Sequence, residues 1–322
     1  MPDGEAAQGE VQRGAGVSRF ANSALSGFGL GAVYDCAAPA RASEARFPDG
    51  APWRVEIPSV EGPEAFQAVL DESAKLKVVV HRVSQGSGVT LLSDIELRDM
   101  AEMGKGSGVE VVLWVGARAA WDISAMARSS SGAAAASSVR GARGISSGLE
   151  EALRAAEAGV QGVLMADVGL LWALGRAKQA GILPAQFVLK TSLALPAMNP
   201  ASAKLYADLG ATSINLPTDL PLDDIWAIRR AVAVPLDCYI EGADDFAAPL
   251  RYHEIGEIVS VAAPVNLKFG LRNVGGVYPA GGHLSATVVS ASRERVRRAS
   301  LGIEALSRAM SGGDVPEQLG RP

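Results

Sequence analysis

Residues Ser147–Pro217 read SGLEEALRAAEAGVQGVLMADVGLLWALGRAKQAGILPAQFVLKTSLALPAMNPASAKLYADLGATSINLP, and one pattern runs through them three times. An amphipathic run ends at a glycine, and a short apolar run follows. Ser147–Ala158 carries Leu149, Leu153 and Ala156 on one helical face and stops at Gly159. Leu170–Ala180 stops at Gly181, and Ser202–Leu209 stops at Gly210. A glycine just past the last helical residue is the expected left-handed cap. The runs that follow are Val160–Asp167, Gln186–Ser192 and Thr212–Pro217. They are almost continuously apolar, as parallel strands covered on both faces are.

The alternation continues in both directions. Upstream lie the strand-like runs Arg54–Ser59, Lys77–Val83 and Glu110–Gly116; downstream lie Pro235–Glu241 and Val265–Gly270. Between them Glu61–Ala74 holds Pro63, favoured in a first helical turn. Ser93–Met103 begins with the Ser93–Glu96 spacing of a capping box, and Leu222–Ala231 carries an apolar stripe. Eight strands with helices between them predict an α/β fold, a (β/α)8 TIM-type barrel. An open doubly wound sheet is the alternative, but no dinucleotide glycine fingerprint follows the first strand. The expected organisation is a flexible extension over 1–46, a barrel over 47–290, and a C-terminal helix and tail over 291–322. A long loop, 117–148, interrupts the barrel. Its core, SSSGAAAASSVRGARGISSG at Ser129–Gly148, reads either as a mobile lid over the rim or as a disordered insertion.

Composition narrows the function. The chain has 322 residues, a net charge of −5, 48% hydrophobic residues and 20% charged ones. That mild acidity argues against nucleic acid as a partner, and no apolar run reaches the length of a membrane span. The first residues, MPDGEAAQGEVQRG, are acidic and polar and do not form a signal peptide. The expected location is cytoplasmic. Cys36 and Cys238 are too few for a disulfide framework or a four-cysteine cluster.

In a barrel the active site lies at the C-terminal ends of the strands, so polar residues there are the candidates. Glu56, Asp167 and Glu241 could converge as carboxylates and, with His81, bind a divalent metal. The plainer fate of each is an ion pair with Arg82, Lys190, Lys268 or Arg272. Lys190 and Lys268 stand among apolar residues, in VLKTS and NLKFG. A lysine so placed can form a Schiff base, hold an anion or serve structure. Asn215 and Tyr239 complete the strand-end set. Gly270, Gly275, Gly276 and Arg272 follow the last strand in the manner of a phosphate or carboxylate loop, with His283 beyond. Ser84 and Ser192 are candidate nucleophiles without a base in sequence. Cys238 alternates with Asp237 and Tyr239 and should point into packing. The Arg-rich stretch Ser292–Met310 reads as a helix with a solvated basic face.

Leu149–Gly270 resembles the barrel of peptidase family U32. Ala155–Leu171 (AAEAGVQGVLMADVGLL) and Thr191–Ile228 follow that family's pattern of strand, polar rim residue and helix. Asp237-Cys238-Tyr239-Ile240-Glu241-Gly242-Ala243 resembles its acidic–x–aromatic–x–x–Gly–Ala signature, and Asp237, Tyr239, Gly242 and Ala243 carry over. Family members that hydroxylate RNA or quinone precursors are associated with an iron–sulfur cluster on cysteines after this signature. Asp244-Asp245-Phe246 stand there instead, so the resemblance implies a member without the cluster.

The resemblance implies hydrolysis of a peptide or amide at the rim. Glu241 would activate water, directly or through a metal, beside Lys190, His81 and Asp167. Arg82, Asn215, Tyr239, Lys268 and Arg272 would bind substrate. A second expectation is a lyase, aldolase or isomerase acting on a small carboxylate or phosphate. A third is a non-catalytic barrel subunit of an assembly. Barrels commonly self-associate through outer helices, but no helix here advertises an interface.

Overall fold

The computed structural model describes residues 42–122, 125–244, 248–274 and 276–310. Eight parallel strands close into a barrel in the order β1 to β8. They are β1 Trp53–Pro58, β2 Arg82–Gln85, β3 Glu110–Trp114, β4 Gly162–Met165, β5 Val188–Thr191, β6 Ser213–Asn215, β7 Leu236–Glu241 and β8 Val265–Phe269. The helices are α1 Pro63–Leu76, α2 Asp94–Ser107, α3 Gly141–Glu157, α4 Val168–Gln179, α5 Pro200–Asp208, α6 Leu222–Ala231, α7 Ile255–Ala262 and α8 Ser285–Ala309.

Local chemistry sets the boundaries. Ser93 and Glu96 form the capping box of α2, the Glu96 N–H donating to Ser93 Oγ at 3.2 Å and the Ser93 N–H to Glu96 Oε2 at 2.7 Å. Gly159 and Gly210 take φ of +92° and +109° at the junctions into β4 and β6, a region where a Cβ is costly. Lys77 ends α1 in the left-handed region at φ +56°. That pushes the start of β2 to Arg82, five residues later than the apolar run begins.

Side-chain alternation divides the strands between two cores. The main core fills the shell between barrel wall and helices, with Val55, Ile57, Leu113, Leu189, Cys238 and Phe269 among its members. A second, smaller cluster of Val112, Trp114, Leu164 and Ala166 lies apart from it. These are inward positions of β3 and β4. The inward positions of β1, β2 and β5–β8 are polar or charged: Glu56, Arg82, Ser84, Lys190, Ser213, Asn215, Asp237, Asn266 and Lys268, all buried. The barrel interior therefore has one apolar wall and one ionic wall.

The structure amends the sequence reading at four points. The apolar run Ile255–Ala262, left unassigned by periodicity, is α7. The proposed boundary at 290 falls inside α8, which closes the barrel. Its basic face is only partly solvated, because Arg295 is buried and Arg298 is bound to Glu241. The low-complexity stretch is also folded in its described part. Its second half is the start of α3, where a Cβ on Gly148 would lie 2.8 Å from a methyl of Leu170 in α4 and force that side chain to shift. Its first half winds through short 3-10 turns. Ala119 and Ala120 donate to the carbonyls of Ser138 and Ala136 at 3.0 and 2.9 Å, tying the two limbs together. Of the expected N-terminal extension and C-terminal tail, residues 1–41 and 311–322 lie outside the described residues, as do Gly275 and the Asp245-Phe246 pair. No helix of the described residues is long and apolar enough to cross a membrane.

Candidate active site

The floor of the barrel is an ion cluster. Arg82, the first residue of β2, donates to Asp237 Oδ1 (3.2 Å), Ser213 Oγ (3.0 Å) and Glu56 Oε2 (3.4 Å), and is paired with Glu110. Lys190 lies between Glu56 and Asp237, 2.8 Å from the latter, with no exposed surface. Asp237 also accepts from Asn266 Nδ2 at 2.6 Å and Ser213 Oγ at 2.9 Å. Glu56 accepts from Ser84 Oγ at 2.7 Å and faces Lys268 Nζ at 3.1 Å. Burial works to raise the Glu56 carboxyl, but Lys190, Lys268 and Arg82 outweigh it and hold the group far below the carboxylate range. For Lys190 burial dominates and lowers the ammonium, opposed by Asp237 and Glu56 and aided by Lys268 and Arg82. Three cations face three carboxylates here, so the floor balances itself.

Above that floor, at the C-terminal ends of the strands, is a cavity of about 270 Å³. Lys268 rises into it from β8, its Nζ 4.5 Å from the centre of the Tyr239 ring. With its amide turned to satisfy its neighbours, Asn215 accepts from Lys268 Nζ at 3.1 Å. Ser84, Gln85 and Ser192 supply further polar wall, and Trp114 and Leu164 the apolar one. The long loop contributes Arg118, Ala120, Trp121, Ala136 and Ser137. Tyr278, from the segment after β8, closes one side and shares a hydrogen bond with Ser59, itself held at φ +59°. Among the described residues the lining has two cations, Lys268 and Arg118, and no Asp, Glu or His.

The guanidinium of Arg118 lies over the Trp114 ring at 3.8 Å and the Trp121 ring at 4.2 Å. It donates to the carbonyls of Gly86 and, at 3.5 Å, Ser87. The same turn is held from the other side by Glu61, whose carboxylate accepts the Gly86 and Ser87 N–H groups at 2.8 and 2.9 Å. Burial lowers Arg118 to about 10, with Tyr278, Glu61 and Glu151 acting the other way.

Of the residues singled out from the sequence, Asn215, Tyr239, Lys268 and the two serines Ser84 and Ser192 reach the cavity. The charged candidates other than Lys268 do not. Glu241 follows a bulge in β7: Tyr239 pairs with Lys268, but Glu241 pairs with Phe269, so it turns to the outer face. There it meets Arg298 at 3.1 Å, accepts from Tyr252 at 2.7 Å and takes the Arg272 N–H at 3.2 Å. Asp167 caps α4, accepting from the N–H groups of Leu170 (2.8 Å) and Val139 (3.1 Å). His81 precedes β2 at the opposite, N-terminal end of the barrel; its Nδ1 accepts from the Val55 N–H at 3.1 Å, and burial lowers it to about 4. Arg82 and Lys190 belong to the floor. Arg272 is half exposed, pairs with Asp244 at 2.9 Å and donates to Ala248 O at 2.5 Å. His283 is exposed, and Cys238 lies in the outer core.

The proposed metal set therefore does not assemble. The oxygens of Glu56 are bound by cations and Ser84, those of Asp167 by backbone amides, and those of Glu241 by Arg298 and Tyr252. Among the described residues no group of three His, Cys, Asp or Glu is placed to hold a metal. These residues do not fit a divalent ion.

Sequence reasoning missed Arg118, Trp114, Trp121 and Tyr278. Arg118 had a usable signal, as a cation two residues past Gly116 at the end of a barrel strand.

Comparison with known proteins agrees with the fold. Residues 143–248, about a third of the chain, match the model of peptidase family U32, and the resemblance read from the sequence holds over that stretch. A solved U32 peptidase is 18% identical, aligning over 58% of this chain and 68% of its own, with a TM-score of 0.36. A candidate fructose-1,6-bisphosphate aldolase from Coccidioides immitis is 13% identical over 80% of this chain and 92% of its own, with a TM-score of 0.51. That likeness is one of barrel fold. Among curated proteins none matches the chain.

Proposed function

We propose that the chain is a barrel enzyme that takes a small anionic substrate into the rim cavity. The reaction is of lyase or isomerase type, with Lys268 facing the reacting oxygen. The observation that carries this reading is the lining among the described residues: Arg118 without a carboxylate partner, Lys268 with its charge matched from below by Glu56, and no carboxylate or imidazole in the wall itself. Such a wall attracts an anion and stabilises negative charge that develops on oxygen, as in an enolate formed beside a carbonyl. The Tyr239 and Tyr278 phenols support the same role. Burial raises both, so they remain neutral and able to donate.

Amide hydrolysis is the second reading, favoured by the family match, which spans Ser192, Asn215 and Tyr239 of the cavity wall. It requires a group that activates water, and Glu241 is turned away from the cavity. Calorimetric titration of small carboxylates, small phosphates and acylated dipeptides into wild type and Lys268→Gln separates the two, with circular dichroism verifying each fold. Binding of small anions that weakens at least tenfold in Lys268→Gln supports the proposal. Binding of dipeptides alone, or affinity indifferent to Lys268, overturns it.

A further inference from the structure

The charges of the site do not sum to zero from floor to mouth. Arg82, Lys190 and Lys268 are matched by Glu56, Asp237 and Glu110. Arg118 has no carboxylate within ion-pair distance among the described residues, yet it is half buried at the cavity wall. A cation withdrawn from water without a counterion is costly, and a bound anion would remove that cost.

The setting of Arg118 also limits which anion fits. Both neighbouring indoles turn their faces to the guanidinium, at 3.8 and 4.2 Å. Rings stacked on the guanidinium would hold the planar group and leave its edge, more than its faces, to a ligand. Of its five N–H groups, two are directed at the carbonyls of Gly86 and Ser87. Three donors remain for a ligand. A planar carboxylate can lie in the guanidinium plane and accept two parallel hydrogen bonds there. A tetrahedral phosphate would carry oxygens out of that plane as well, where stacked indoles would crowd them.

We infer that Arg118, clasped by Trp114 and Trp121, is the anchoring site for a carboxylate group of the substrate and selects carboxylates over phosphates and phosphonates. Arg118 would hold that group at the mouth, while Lys268 on the floor faces the reacting part of the same molecule. This inference rests on the reading of the cavity as an anion site and adds the substrate class. Arg118 is here a binding residue, and Trp114 and Trp121 position it.

The probes are benzoate and phenylphosphonate, which share a body and differ in head group. Each is titrated calorimetrically into wild type, Arg118→Lys and Trp121→Ala. Trp121 is 47% exposed, so its removal leaves the core intact, and Arg118→Lys keeps the charge while losing the planar fork. The expected result is benzoate favoured at least tenfold by wild type, a benzoate affinity at least tenfold weaker in Arg118→Lys, and a preference that narrows in Trp121→Ala. Equal or tighter binding of phenylphosphonate, or a preference unchanged in both variants, overturns the carboxylate assignment while leaving an anion site in place. Binding of neither probe, nor of the small anions above, overturns both readings.

Discussion

Glu241 meets Arg298 on the outside of the barrel wall at 3.1 Å, although Tyr239, two residues earlier on the same strand, faces the inside. The bulge between them separates a cavity residue from a structural one. Glu241→Gln should therefore leave small-anion affinity unchanged. It should lower stability by about 1–3 kcal/mol, the range for a pair with one partner buried and the other a third exposed. Urea denaturation beside ligand titration reads both quantities.

Lys190 behaves as the keystone of the floor. Replacing it with Met leaves Glu56 and Asp237 facing each other with one fewer cation, and a loss of about 3–5 kcal/mol is expected. If a carbonyl substrate is trapped by borohydride, the adduct should map to Lys268, which lines the cavity, and not to Lys190, which has no exposed surface. Peptide mass mapping after reduction decides between them.

His81 gives the fold an acid dependence unrelated to the site. Its value falls from 6.5 to about 4 on folding, through burial and then the charge of Arg54. The unfolded chain thus binds a proton that the folded chain refuses between those values. Stability is full above pH 6.5 and drops by about 3 kcal/mol as pH falls towards 4. Glu56 acts lower, its contribution disappearing only as pH falls below the ordinary carboxylate value. Urea midpoints at pH 7 and 5 should differ in wild type and much less in His81→Asn.

Gly86 lies against the Tyr278 ring so closely that any Cβ would overlap it. Gly86→Ala should displace Tyr278, disturb the turn that Glu61 and Arg118 grip, and cost about 1–3 kcal/mol. Small-anion affinity should fall about tenfold if a single off-fit contact of about 1.4 kcal/mol is lost. Calorimetry on the variant checks this, with the urea midpoint as control.

The architecture was legible because its signals are local. Glycine at 159, 181 and 210, the Ser93–Glu96 box and eight apolar runs each report a boundary within a few residues. The site was legible only in part, because facing depends on register. Period-two counting puts Glu241 inside with Asp237 and Tyr239, and nothing in DCYIEGA marks the extra residue that turns it out. His81 and Arg82 are strand residues by composition, but the left-handed end of α1 moves them to the wrong end of the barrel. Arg118 escaped notice because its neighbours are a low-complexity loop, and its importance comes from Trp114, Trp121 and Tyr278 meeting it in space.

Six of the nineteen residues around the cavity fall within the U32-like stretch, and neither cation does. The U32-like segment thus builds one side of the chamber, while Lys268, Arg118 and Tyr278 come from parts of the chain outside that match. Family likeness and the cavity's cations are carried by different stretches of this polypeptide. Relatives that share the first can differ in the second by changes to β8 and the loop after β3, with the barrel between them untouched.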